Sequence, residues 1–153
     1  MNASGERAVM SHVDTRPAPT ATSMLLEPMR SPWRGVVALA ALVAALAHVP
    51  VIGPHLDEAP YMGVLFVVLT VGCSAIALAA LVRDAAAVYG LAVLTCGLAV
   101  LGYAATRLIA FPMLADDVGN WLEPLGVVSV ISESVVVIAA VRALLSRRRT
   151  VVA

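Results

Sequence analysis

Four long apolar stretches dominate this sequence, and each is long enough to cross a lipid bilayer as a helix. A bilayer core of about 30 Å requires roughly 20 predominantly apolar residues in a helix. Hydrophobic residues make up 61% of the chain and charged residues only 13%, which is more apolar than a water-soluble domain. The predicted spans cover residues 35–52, 60–82, 85–111 and 124–145. We predict an all-α fold, a transmembrane four-helix antiparallel bundle over residues 31–146, with the lipid bilayer as its surroundings.

The positive charges predict how this bundle is oriented. The sequence contains no lysine, and its arginines show no basic patch of the kind that binds nucleic acid. With four spans, one side of the membrane receives nearly all the arginines that flank a span: Arg30, Arg34, Arg83, Arg142 and Arg147 to Arg149. Such residues mark the cytoplasmic side, and Arg107 alone breaks the rule. The sequence therefore predicts a multi-pass protein of the bacterial cytoplasmic membrane with both termini in the cytoplasm (N-in/C-in).

The two ends of the chain differ from the spans in composition. Residues 1–30 are rich in Pro, Ala, Ser and Thr without helical periodicity, which predicts a disordered cytoplasmic tail. Residues 147–153 are predicted to form a basic cytoplasmic tail. One alternative stays open for the first span, because Ala45-Leu46-Ala47 has the small-x-small pattern of a signal-peptide cleavage site. The long polar segment before this span favours an uncleaved membrane helix.

Glu133 is the most unusual residue within the predicted spans. It lies nine residues beyond Pro124, or about 13 Å along a helix, which places it near the centre of the bilayer. A carboxylate at this depth requires a partner or a proton. Three interpretations stay open: a buried ion pair of Glu133 with Arg107, a functional proton or ion site, and a neutral acid hydrogen-bonded to Ser129.

Histidines and further acidic residues lie at the predicted outer ends of the spans. His48 ends the first span, and the spacing of His55 and Glu58 places them on one helical face. Imidazole and carboxylate groups suit a divalent or transition metal ion. The metal-site hypothesis comprises His48, His55, Glu58 and Glu133, and Glu123 belongs to the same outer cluster. Because HExxH, CxxC and repeated Glu-x-x-His motifs are absent, the sequence predicts no catalytic residue.

Three segments together carry a resemblance to known proteins. Residues 55–66 have the pattern H-x-x-E-A-P-Y-x-G-x-x-F, Arg107 precedes a proline by five positions, and residues 121–127 read W-x-E-P-x-G-V. Over about residues 36–145 the chain resembles small uncharacterised four-helix bacterial integral membrane proteins. The resemblance implies this architecture, no particular activity, and a set of shared positions: His55, Glu58, Arg107, Glu123 and Glu133. Ala-Phe-Pro at residues 110–112 departs from the Gly-Leu-Pro of that pattern.

These observations support three hypotheses about function. The first is a non-enzymatic membrane component whose outward-facing cluster of His, Glu and Arg residues stabilises the bundle or binds a cation or proton. The second is a small transporter or transporter subunit with a proton-coupled site at Glu133 and Arg107, which requires a homo-oligomer or a larger membrane complex. The third is an enzyme that acts on a lipid or quinone at the outer leaflet, with Glu58 or His48 as a base.

Overall fold

The computed structural model describes residues 20–152, which fold into helices. The helices are α1 (Ala21–Leu26), α2 (Arg34–Glu58), α3 (Pro60–Val82), α4 (Ala86–Leu108) and α5 (Pro124–Val152). A short 3-10 turn, Ala115–Asp117, lies between α4 and α5. The four helices α2 to α5 are each long and apolar enough to cross a membrane, in α5 over Pro124–Arg147. The prediction of an all-α chain with four helices that are long and apolar enough to span a membrane is confirmed.

The helix bounds differ from the predicted spans at several ends. The predicted end of the first span at residue 52 is wrong, because α2 continues through Pro54 to Glu58. Prolines are tolerated within membrane helices because neighbouring helices and side chains can satisfy the freed backbone groups. The third span ends at Leu108 rather than at residue 111, and α5 extends into the predicted basic tail as far as Val152. The second span agrees with its prediction at both ends.

The segment before α2 contains local structure. Residues 1–19 of the predicted disordered tail lie outside the described residues. Within residues 20–30 the chain forms the short helix α1, and the Thr20 side chain accepts a hydrogen bond from the Ser23 backbone N–H at 3.3 Å. This side chain satisfies one of the backbone donors that every helix start leaves free.

The four long helices pack in a ring. Helix α2 contacts α3 and α5, and α4 contacts α5 and α3, with the α3–α4 contact the smallest of the four. One half of the ring is filled by an alanine core, the buried cluster that consists of Val37, Ala38, Ala40, Ala41, Ala44, Ala45, Cys73, Ile76, Ala77, Ala80, Tyr89, Ala92, Cys96, Val136, Ala139, Ala140 and Ala143. Small side chains allow helix backbones to approach closely, and close packing is a principal source of helix association in lipid.

Asp84 connects the segment before α2 to the α3–α4 junction. Its two carboxylate oxygens accept hydrogen bonds from the Ser31 backbone N–H at 2.8 Å and from the Tyr89 hydroxyl. Its carbonyl accepts a further bond from the Met29 N–H at 2.7 Å. The Asp84 backbone is left-handed, with φ of 42°, a conformation that Asp adopts more readily than most residues. We call Met29, Ser31, Asp84 and Tyr89 the Asp84 cluster.

The opposite ends of these helices are joined by a tight turn and a longer loop. Ala59 alone separates α2 from α3, and a side chain at Gly63 would collide with the Leu56 backbone N at 2.7 Å. The Tyr61 hydroxyl donates to the Pro112 carbonyl at 2.6 Å. This bond holds the start of α3 against the loop between α4 and α5, next to the site described below.

Candidate functional site

A cavity of about 440 Å³ lies beyond the alanine core, in the other half of the bundle. All four long helices line it, α2 with its C-terminal half, α4 from Leu94 to Arg107, and α3 and α5 with their N-terminal halves. Its lining is mostly apolar, and the polar residues that line it are His48, His55, Thr95, Tyr103, Thr106, Arg107, Asp117, Glu123, Ser129 and Glu133. Small-molecule sites typically combine an apolar lining with a few convergent polar groups.

His48 and Glu133 form a deeply buried pair in this cavity, with only 3% and 1% of their surfaces exposed. His48 Nδ1 lies 2.6 Å from the Ala44 carbonyl oxygen. A carbonyl can only accept, so Nδ1 carries a proton and the other ring nitrogen is the one that faces Glu133. His48 Nε2 lies 3.5 Å from Glu133 Oε1, and Oε1 has no hydrogen-bond partner within residues 20–152. His48 is therefore the ionisable group that faces the buried carboxyl group.

Arg107 is buried in the same cavity but pairs with a different acid. Its Nη1 lies 2.9 Å from Asp117 Oδ1 and donates to the Asp117 carbonyl at 3.3 Å. The guanidinium carbon lies 4.6 Å from the centre of the Tyr103 ring. Nε is buried and has no acceptor in the described part of the chain. The ion pair between Arg107 and Glu133, one of the three interpretations left open by the sequence, is thus not formed, because the 3-10 turn places Asp117 beside Arg107.

Glu123 supports the start of α5 rather than a ligand set. Its carboxylate accepts hydrogen bonds from the backbone N–H groups of Leu125 at 3.2 Å and Gly126 at 2.5 Å. A carboxylate in this position satisfies free donors and complements the positive end of the helix dipole. A side chain at Gly126 would meet the Tyr103 ring at 2.5 Å, so glycine allows α4 and α5 to approach here.

Of the four residues of the metal-site hypothesis, His48, His55 and Glu133 line the cavity and Glu58 does not. His55 lines the cavity, where its Nδ1 is 2.8 Å from the Val51 carbonyl and its ring packs edge-on against Phe66 at 4.8 Å. Glu58 is exposed at the end of α2 and does not line the cavity. Among residues 20–152, no group of three or more His, Cys, Asp or Glu side chains is arranged to hold a metal ion. Glu58 lies one turn beyond His55, so the four residues of the hypothesis do not share one site, and metal binding stays a prediction.

The sequence indicated three residues that share the cavity, but it did not indicate the roles of Asp117 and Asp84. It placed His48, Arg107 and Glu133 together, and all three line the cavity. It did not identify Asp117 as the partner of Arg107, although an acidic pair in the following loop was a usable signal. Asp84 was not singled out from the sequence either, although an acid between two apolar helices indicates a hydrogen-bonded role.

The apolar part of the cavity reaches the surface of the bundle between α3 and α4. Three of its lining residues, Val68, Leu94 and Leu98, are each 59% exposed. Val68 belongs to α3 and the two leucines belong to α4. Of the four neighbouring helix pairs in the ring, α3 and α4 have the smallest contact. The surface there is apolar on both helices, so in a bilayer it faces hydrocarbon.

Comparison with known proteins gives no match: no protein-family model, curated protein or solved structure matches this chain. The resemblance of residues 55–66 and 121–127 to small four-helix membrane proteins therefore stays a prediction. The function has to be inferred from the geometry of the cavity.

Proposed function

We propose that the chain is an integral protein of the bacterial cytoplasmic membrane, an antiparallel four-helix bundle with both termini in the cytoplasm. Three contacts support the antiparallel order: Met29 with Asp84, Glu27 with Arg147 at 3.9 Å, and Tyr61 with Pro112. The first two bring the start of α2 to the α3–α4 junction and to α5, and the arginines that flank the spans lie in these segments. By the positive-inside rule this end is cytoplasmic, and the cavity faces outward.

Within this bundle, the His48–Glu133 pair functions as a binding site for one exchangeable proton. The observation that carries the proposal is the geometry of the pair. His48 Nδ1 donates to Ala44, which leaves Nε2 and Glu133 Oε1 facing each other at 3.5 Å. Without a further proton, both atoms are acceptors and repel each other. With one proton, the pair is either imidazolium and carboxylate or imidazole and carboxylic acid, and both forms are attractive.

Other ionisable groups also face this pair across the cavity and belong to its electrostatic surroundings. They come from α2, from α4, from the loop after α4 and from the residue before α5: His55, Tyr103, Arg107, Asp117 and Glu123. Arg107 and Asp117 compensate each other at 2.9 Å, and Glu123 is bonded to the start of α5. Arg107, Asp117 and Glu123 are thus engaged in contacts of their own, and none of the three fixes the charge of the His48–Glu133 pair.

Infrared difference spectroscopy across a pH titration tests the proton site. We expect the carbonyl band of a protonated carboxylic acid to appear and disappear with pH in the wild-type protein in membranes. Glu133→Gln removes the only carboxyl group of the pair and should remove one component of this band, that of an acid shielded from solvent. Glu58→Gln is the matched control, because Glu58 is exposed and outside the cavity. A pH-dependent band that persists in Glu133→Gln and is lost in Glu58→Gln would contradict the proposal.

A proton-coupled transporter is the second candidate. It is favoured by the buried acid facing an open cavity, but it also requires a path through the half of the bundle that the alanine core fills. Proton flux into proteoliposomes distinguishes the two functions. The binding site alone predicts no flux above that of protein-free vesicles, whereas a transporter predicts flux that Glu133→Gln abolishes.

A further inference from the structure

We propose that the cavity binds a neutral amphiphile, with a hydroxyl-bearing head between Arg107 and Glu133 and an apolar tail that leaves between α3 and α4. The ligand class is an uncharged lipid or lipid-soluble molecule. This inference shares the Glu133 carboxyl group with the proposed proton site and goes beyond it, because it adds the unsatisfied donor of Arg107 and the apolar opening of the cavity.

Two buried polar atoms without partners define the head site. Arg107 Nε–H is a donor and Glu133 Oε1 is an acceptor, and neither has a hydrogen-bond partner within the described residues. Both side chains line the cavity and are more than nine-tenths buried. Leaving such atoms without partners costs free energy. A hydroxyl group both donates and accepts, so a head with hydroxyl groups satisfies both atoms.

The charges of the cavity favour an uncharged head. Arg107, its permanently charged cation, already pairs with Asp117 at 2.9 Å. A phosphate or carboxylate head would have to compete with Asp117 and would lie near the Glu133 carboxyl group. Burying an anion without a free counter-charge is strongly unfavourable. The site therefore discriminates against anionic lipids.

The apolar tail follows from the opening between α3 and α4. Leu65, Phe66 and Leu69 of α3 and Leu94 and Leu98 of α4 line the cavity between its polar end and the lipid-facing surface. Its volume of about 440 Å³ lies within the range of roughly 300–1,000 Å³ that is usual for small-molecule sites. A single tail can thus pass from the head site into the bilayer.

Thermal unfolding of the purified protein in detergent, with added amphiphiles, tests this site. A ligand that binds the folded state raises the unfolding temperature in a saturable manner. Monolauroylglycerol and decylhydroquinone are the neutral probes, and lauroyl lysophosphatidic acid is the anionic probe. We expect at least one neutral probe to bind about tenfold more tightly than the anionic probe. The tighter of the two neutral probes identifies a glycerolipid or a quinol as the source.

Two glycines of α4 provide a matched pair of variants. Gly102 lines the cavity, Gly97 does not, and a side chain added at either position meets no atom within 4 Å. Gly102→Leu should fill the apolar part of the cavity and weaken binding of the neutral probe about tenfold, whereas Gly97→Leu should leave binding unchanged. Arg107→Lys retains a cation near Asp117 but lacks Nε, and it should weaken binding by a similar factor.

Three results would overturn the proposal: no saturable shift with either neutral probe, binding of the anionic probe as tight as that of the neutral ones, or Gly102→Leu binding like wild type. The infrared band of Glu133 is measured without any probe. A failure of amphiphile binding therefore leaves the test of the proton site intact, and the two failures are distinguishable.

Discussion

The two halves of this bundle differ in whether their buried polar groups have hydrogen-bond partners. In the half with the alanine core, the Asp84 cluster gives the buried acid a donor for each carboxylate oxygen, from Ser31 and Tyr89. In the half with the cavity, Glu133 Oε1 and Arg107 Nε are equally inaccessible but lack hydrogen-bond partners within the described chain. Satisfied polar networks make a structure rigid, whereas unsatisfied buried groups are typical of functional sites. We therefore propose a structural role for the first half and a functional role for the second.

The side chains of the two halves also differ in size. The alanine core consists mainly of residues too small to hold helices apart, and α2 packs closely there. Larger side chains such as Phe66 and Leu94 line the cavity, and the half of α2 on this side contains two prolines, Pro50 and Pro54. Proline removes a backbone hydrogen bond from a helix and bends it. We infer that the helices diverge where these residues replace alanine, and the following variants test this difference.

The largest effect is expected for Asp84→Ala. This change leaves the Ser31 N–H and the Tyr89 hydroxyl without their acceptor and places alanine in a left-handed conformation. The free energy of unfolding should fall by about 2–4 kcal/mol, measured by denaturant titration in detergent. Asp57→Ala serves as the control, because Asp57 is exposed at the end of α2. If Asp84→Ala lowered the free energy of unfolding as little as Asp57→Ala does, the Asp84 cluster would have no structural role.

An intermediate effect is expected for Ala140→Leu in the alanine core. Ala140 is fully buried, so the larger side chain must displace its neighbours, at a cost of about 1–3 kcal/mol. Ala99→Leu makes the same change at a position that lines the cavity and should cost less, since its side chain can extend into open volume. Unfolding titrations of both variants check the difference. Equal losses would show that the two halves are packed equally tightly.

The smallest effect on stability is expected for Glu133→Gln. Its Oε1 accepts no hydrogen bond from the described residues, and its contact with His48 is 3.5 Å long. The free energy of unfolding should change by less than about 1 kcal/mol. Asp84→Asn is the corresponding change in the other half and should cost more, because two donors then share one acceptor oxygen. The reverse order of the two losses would contradict the assignment of structure and function to the halves.

Much of the helix layout was predictable from local composition. The bounds of α3, Pro60–Val82, agree with the predicted span, because a proline and an arginine delimit an uninterrupted apolar run. The end of α2 was not predictable, since Pro54 ends most helices in water but not in this bundle. Whether a helix tolerates a proline depends on its neighbours, and the sequence does not contain that information locally.

For the site, helical spacing and the position of a residue along its span predicted which residues are buried, but not which residues they contact. Glu133 and Arg107 were expected to be buried on neighbouring helices, and both are. Their pairing depended on the rotation of α2 and on the path of the loop after α4, which bring His48 to Glu133 and Asp117 to Arg107. Contacts between helices depend on differences of a few ångströms, which no single-helix pattern specifies.

The sequence by itself determined that this chain forms four apolar helices and that Glu133 needs a partner or a proton, because the cost of exposing polar groups to hydrocarbon depends on composition alone. Only the tertiary structure decided that His48 is that partner and that a cavity opens between α3 and α4. Both depend on how closely each helix pair approaches, and that distance is set by the side chains of all four helices packed together.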